Sequence, residues 1–175
     1  MFKFKKRLKS LLYENEIETG NEAYQNILLK ELEKLTTQGE LIYKIYREKY
    51  AAIIVTIKHG ITNKGISDLD LRVYSLHPNE QKFNIKTTIR ATIRTPKAEH
   101  LTTIYISDIH SEKINMGFGS LAIENLIKYA YAFGSYEITG FISPADKDHY
   151  DRLFHFYEKF GFIIDDKKRI SKIIK

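Results

Sequence analysis

Between Leu101 and Gly119 the chain reads LTTIYISDIHSEKINMGFG, a β-rich run that stops at a glycine-bearing turn and passes straight into a helix. Leu101, Ile104, Ile106 and Ile109, with Thr102, Thr103 and Tyr105 between them, predict a buried strand, because β-branched and aromatic side chains suit a pleated surface. The turn falls at Lys113 to Met116. From Gly117 the apolar positions change period: Leu121, Ile123, Leu126, Ile127, Ala130 and Tyr131 take helical spacing, and Gly134 is placed to stop the helix. A strand, a turn and a helix start bring several unpaired backbone N–H groups to one point, beside the positive end of the helix dipole. That is a place for an anion, typically a phosphate.

Gly117 and Gly119 let a ligand approach the backbone closely, although the same pair also fits a glycine-rich helix start with no ligand. The third glycine of a dinucleotide fingerprint is absent, and no Gly-Lys-Ser/Thr follows to make a P-loop.

A second fragment adds weight. Leu153 to Phe162 reads LFHFYEKFGF, a helix with Leu153, Phe156, Tyr157 and Phe160 on one face and Gly161 at its stop. With these two fragments the chain resembles the GCN5-related N-acetyltransferase (GNAT) family. The family's Gln/Arg-x-x-Gly-x-Gly/Ala motif is matched by Ile114-Asn115-Met116-Gly117-Phe118-Gly119, and its Phe-Tyr-Glu-Lys-x-Gly-Phe run by Phe156 to Phe162. About forty residues separate the two, with a strand between. The likeness covers roughly Ile53 to the C-terminus and is specific over Ile109 to Phe162.

The resemblance implies an α+β fold: a central mixed, mostly antiparallel twisted sheet of about six to seven strands flanked by helices. It also implies acetyl-CoA as co-substrate and transfer of its acetyl group to a primary amine by direct attack on the thioester. Carried over position by position, the backbone of Asn115, Met116, Gly117, Phe118, Gly119 and Ser120 takes the pyrophosphate. Ile114 stands where the motif has Gln or Arg, which removes one side chain and spares the backbone cradle. Ile109 marks where the family's strand bonds the pantetheine arm, and Tyr157 matches the tyrosine that protonates the departing thiolate; its alternative is a buried core tyrosine. The glutamate that several members carry nine to eleven residues before the motif is replaced by Tyr105, Ile104 and Thr103. Asp108 is the nearest acid, and strict alternation turns it away from the face carrying Ile109 unless a bulge intervenes. The missing carboxylate keeps a second reading open: a non-catalytic GNAT-like module that contacts nucleic acid or a protein through its basic N-terminus.

The rest of the chain is compatible with one domain over 1–175, opening with a helical segment over 1–50. At 175 residues and 43% hydrophobic it can bury a substantial core. Asn21 to Leu35 predicts an amphipathic helix with Asn21 as N-cap, a stripe of Ile27, Leu28, Leu32 and Leu35, and Glu31 and Lys34 on the surface. Leu41 to Tyr50 fits helix or strand. Strands are expected at Ala51 to Lys58, Leu69 to Leu76 and Phe83 to Arg94, the last with Ile85, Thr87, Ile89, Ala91 and Ile93 on one face. Turns are expected at His59 to Ser67 and His77 to Gln81, and these loops would help choose the acceptor. Tyr136 to Ser143 should lie parallel to the Leu101 strand because a helix separates them. Phe162 to Ile164 and Ile170 to Ile174 should close as a hairpin.

The net charge of +6 favours anionic partners such as coenzyme phosphates without singling out nucleic acid, which is disfavoured as the main partner. Lys3, Lys5, Lys6, Arg7 and Lys9 form the one dense basic run, either a solvated helix start or an interaction arm. It lacks the apolar stretch of a signal peptide, and no segment approaches a transmembrane span. The chain has no cysteine, which fits a reducing cytoplasm and leaves neither disulfides nor thiolate metal sites. No metal is expected, since His149 and His155 lack a one-turn spacing. Exposed sheet edges leave a homodimer open.

Overall fold

A computed structural model describes residues 22–48, 51–62, 65–95 and 101–174. Helix α1 (Glu22–Thr37) is followed by strands β1 (Leu41–Glu48), β2 (Ala51–Thr62), β3 (Gly65–Leu76), β4 (Asn84–Arg94) and β5 (Thr103–Ser111). Then come helix α2 (Phe118–Phe133), strand β6 (Glu137–Phe141), a 3-10 turn at Pro144–His149 and helix α3 (Tyr150–Lys159). Strands β7 (Ile163–Ile164) and β8 (Arg169–Ile173) complete the described chain. The strands form one eight-stranded sheet in the order β1-β2-β3-β4-β5-β6-β8-β7. Every neighbouring pair is antiparallel except β5 and β6, which the α2 crossover makes parallel. The mixed, mostly antiparallel sheet flanked by helices is the expected class, with eight strands in place of six or seven.

Alternation along the strands sorts side chains onto two faces. Ile53, Val55, Ile57, Leu69, Leu71, Val73, Ile89, Ala91, Ile104 and Ile106 meet Ala122, Ile123, Leu126 and Ala130 of α2 in the larger core, which also takes in Tyr157 and Phe162. Leu28, Leu32 and Leu35 of α1 cover Ala52, Ile54, Tyr74 and Leu76 on the other face. Helix α2 ends as its sequence requires. Gly134 adopts φ +75°, a left-handed conformation open to glycine without a Cβ penalty, and its N–H returns to the Ala130 and Tyr131 carbonyls.

Several expectations need correction. Leu41 to Glu48 is strand, so the segment 1–50 is not helical throughout; the basic run, Asn21 and Tyr50 lie outside the described residues. The turn placed at His59 to Ser67 is mostly ladder, with Gly60 opposite Asp68 and Thr62 opposite Gly65. Its glycines sit inside a long hairpin and not in a loop. Glu31 is buried, because the Phe83 N–H donates to its carboxylate at 3.1 Å and satisfies it there. Ile85 is exposed: Val73 pairs with Thr87 and Tyr74 with Ile85, so Lys86 is an extra residue that reverses the alternation.

A buried polar cluster ties the α1 end of the sheet together. Glu40, only 2% exposed, accepts hydrogen bonds from Thr56, from Arg72 at 2.5 Å and from Tyr74 at 2.8 Å. Asp70 takes the other arm of the Arg72 guanidinium at 2.8 Å.

Candidate functional site

A split in the middle of the sheet builds the site. Pairing between β5 and β6 runs from Thr103–Glu137 to Ile106–Gly140 and stops there. Ser107 is then an extra residue, because Ile106 faces Ala91 while Asp108 faces Arg90. The bulge bends β5 toward β4, and Phe141 continues on β8, so the two parallel strands diverge. From Ser107 to Ser111 the second edge of β5 has no strand partner among the described residues, leaving backbone polar groups open to an extended ligand.

A cleft of about 480 Å³ fills the gap. Its strand wall is Ile106 to Ser111, its near end the turn Lys113 to Gly117 with Gly119 and Ser120, and its far wall Phe141 to Ser143, Asp146, Arg152, Leu153, Phe156 and Tyr157. The bulge restores alternation one residue out of step. Ile109, opposite buried Ile89, stands on the α2 face, whereas Asp108, opposite Arg90, stands on the other. Residues of both faces therefore line the cleft, which makes it a slot passing between the strands.

The turn at its near end is held from below. Glu112 donates its N–H to the carbonyl of bulged Lys86 at 2.9 Å and accepts from the Lys86 ammonium at 2.8 Å. Ser111 and Thr87 share a hydroxyl hydrogen bond of 3.0 Å. Two left-handed residues then curl the backbone, Asn115 at φ +62° and Gly117 at φ +80°. Leu121 is the first helical residue whose N–H reaches back, to the Gly117 carbonyl at 3.0 Å. The N–H groups of Asn115 to Ser120 have no acceptor among the described residues, and concave runs of such groups at a helix start suit anions.

Gly117 is glycine for its φ, since a Cβ there would meet nothing within 4 Å. Gly119 is different. It has no left-handed φ, and a Cβ would rest 3.7 Å from both the Phe156 ring and the Ser111 hydroxyl, two walls of the cleft. That space is left open by the protein's own atoms.

Tyr157 is buried, only 8% exposed, yet lines the cleft, and its hydroxyl has no hydrogen-bond partner among the described residues. Phe156 and Phe162 pack edge-on against its ring and fix it. Burial, then the charges of Asp146 and Asp108, push its pKa up to about 12. The hydroxyl therefore holds its proton throughout the neutral range.

Of the residues singled out in the sequence, Asp108, Ile109, Ile114, Asn115, Met116, Gly117, Gly119, Ser120 and Tyr157 all line the slot. Phe118 does not; its side chain packs on the larger core and only its N–H belongs to the turn. Asp108 is held by Arg90 at 3.1 Å. None of the described residues of His59 to Ser67, and none of His77 to Gln81, lines the slot. Sequence reasoning missed Asp146, on the 3-10 turn after β6; Ser143 capping that turn and Pro144 at its start were the available signals. Among the described residues no cluster of histidine or acidic side chains could hold a metal.

No family model matches the chain. A stretch of 59 residues is 42% identical to the uncharacterized protein YocC of Bacillus subtilis (strain 168), spanning 34% of this chain and 35% of that one. Among solved structures, an aminoglycoside acetyltransferase from an uncultured soil metagenomic sample matches 54% of this chain and 59% of its own, at 24% identity and TM-score 0.44. A putative GNAT-family acetyltransferase of Desulfovibrio desulfuricans matches 62% of this chain and 70% of its own at 15% identity and TM-score 0.47. Arabidopsis thaliana Naa50, solved with the bisubstrate analogue CoA-Ac-MVNAL, matches 58% of this chain and 71% of its own at 16% identity and TM-score 0.43. These are partial likenesses to acetyltransferases, and they carry no argument about what this chain acts on.

Proposed function

We propose that this chain is an acetyl-CoA-dependent N-acetyltransferase of the GNAT type, moving an acetyl group to a primary amine by direct attack on the thioester. One observation carries the reading: a slot with unpaired N–H groups at one end and an unpartnered, protonated tyrosine hydroxyl inside it. The turn Asn115 to Ser120 would take the pyrophosphate, and the open edge of β5 at Ile109 the amide-bearing pantetheine arm. Tyr157 would hand its proton to the departing thiolate, which needs a donor that is neutral beforehand and close by. Lys113 lies at the turn, so the slot's charge at that end suits an anionic coenzyme. We propose the cytoplasm as its working compartment, with which a chain without cysteine is compatible.

Thermal unfolding with acetyl-CoA and with free CoA tests this. Ligand at a hundred times its dissociation constant should add about 2.7 kcal/mol, raising Tm by roughly 5–10 °C for a chain of this size. No shift with either ligand, in protein with a cooperative transition, would overturn the proposal.

A further inference from the structure

The sequence offered Asp108 as the only acid on β5, but that carboxylate already has a partner. Arg90 stands opposite it in the ladder and holds it at 3.1 Å. Asp146 differs in each respect. It lines the same slot, its carboxylate has neither hydrogen bond nor ion pair among the described residues, and its backbone is pinned by a hydrogen bond from its N–H to the Ser143 carbonyl at 3.0 Å. The Ser143 hydroxyl accepts the Ala145 N–H at 3.2 Å, so the short turn has one set geometry. Two acids alone would be a solvated surface. Here Tyr157, a residue 8% exposed whose hydroxyl has no partner among the described residues, lines the same space, and both acids are near enough for their charges to act on it.

Resting on the acetyltransferase reading, we propose that Asp146 is the carboxylate that receives the acceptor's alkyl-ammonium group and takes its proton, with the Arg90-bound Asp108 lending charge only. In balanced form, the ammonium gives one proton to Asp146, which passes it to water. The freed nitrogen lone pair forms the C–N bond to the thioester carbon. The C–S bond breaks, and the thiolate takes the proton of the Tyr157 hydroxyl. The second proton shed by the new amide nitrogen returns to Tyr157. The products are the N-acetyl amine, CoA thiol and one proton in solution. The ammonium could belong to a free polyamine or to a lysine side chain, and the shared chemistry is an unbranched primary alkyl-ammonium.

The test uses the full chain, acetyl-CoA and two probe amines, spermidine and a lysine peptide blocked at both ends, with CoA thiol release as readout. Acetyl-CoA affinity is measured in parallel. Native protein should acetylate at least one probe. Asp146→Asn should lower kcat/KM for that probe about 100-fold with acetyl-CoA affinity unchanged, whereas Asp108→Asn should lose far less. The Asp146→Asn deficit should shrink as pH rises toward the pKa of the amine, which then arrives neutral without help. The other titratable groups of the slot, Asp108, His110, Lys113, Arg152 and Tyr157, remain in that variant, so a packing defect would not be rescued by pH. Native kcat/KM in Asp146→Asn, a deficit independent of pH, or acetyl-CoA binding without acetylation of either probe would each overturn the proposal. Failure to bind acetyl-CoA at all would instead overturn the acetyltransferase reading beneath it.

Discussion

Replacing Gly119 by alanine separates a ligand's need from the protein's own. The new methyl would sit 3.7 Å from the Phe156 ring and the Ser111 hydroxyl, an ordinary contact that displaces neither. Gly119 is the second residue of α2 and has no left-handed φ, so alanine suits its backbone. Glycine in a helix costs about 0.5–1 kcal/mol against alanine, and part of that should be recovered at this first turn. The variant should therefore unfold at or about 1–2 °C above the native Tm. Yet the methyl projects between two walls of the slot, beside the N–H groups that we assign to the pyrophosphate. Binding of acetyl-CoA should weaken at least tenfold, about 1.4 kcal/mol. Calorimetric titration and thermal unfolding of the same preparation measure both quantities. A variant that binds acetyl-CoA like the native chain would refute the assignment of the turn, and one destabilised by more than about 1 kcal/mol would refute the claim that only a ligand needs this glycine.

Tyr157→Phe should keep acetyl-CoA affinity and lower kcat by about 10²-fold, as expected for a lost proton donor; unchanged thiol release would make it a core residue only. Because Tyr157 is raised from 10 to about 12 by burial and by Asp146 and Asp108, its contribution to stability is complete below pH 10 and is lost as pH rises through 12. A shift of that size is worth about 3 kcal/mol, so denaturant midpoints should fall over that window, and less steeply in Tyr157→Phe. Glu40→Ala should cost about 3 kcal/mol in urea unfolding, because Thr56, Arg72 and Tyr74 lose their buried acceptor; a cost below about 1 kcal/mol would mean that Asp70 alone suffices for Arg72. Gly134→Ala should cost about 1 kcal/mol by forcing a Cβ into a φ of +75°, and a neutral result would show that the helix end relaxes.

Local chemistry made much of this molecule legible in advance. The change from period two to helical spacing at Gly117 marked the β5–α2 junction, and the αL stop at Gly134 followed from glycine's conformational freedom. The slot's near end, Asn115 to Ser120, was visible because a strand, a turn and a helix start are set by immediate neighbours in the chain, whereas Tyr157 was singled out only by the family resemblance of the Phe156 to Phe162 run. What the sequence could not decide was everything set by pairing. The bulges at Ser107 and Lys86 are properties of two strands in register, and they alone settle that Ile109, and not Asp108, shares the face of Ile106 and that Ile85 is exposed. The divergence of β5 from β6 opens the slot, and it depends on where Phe141 finds its partner on β8. Burial of Glu31 and Glu40 required donors that lie far away in sequence. Asp146 is signalled only by the Ser143 cap and Pro144 of its turn, and only the packing of α3 on the same wall of the slot brings Tyr157 within reach of its charge. Periodicity and turn chemistry are local and can be read from one chain, whereas register, bulges and the convergence of distant side chains are decided by the packing of elements against one another.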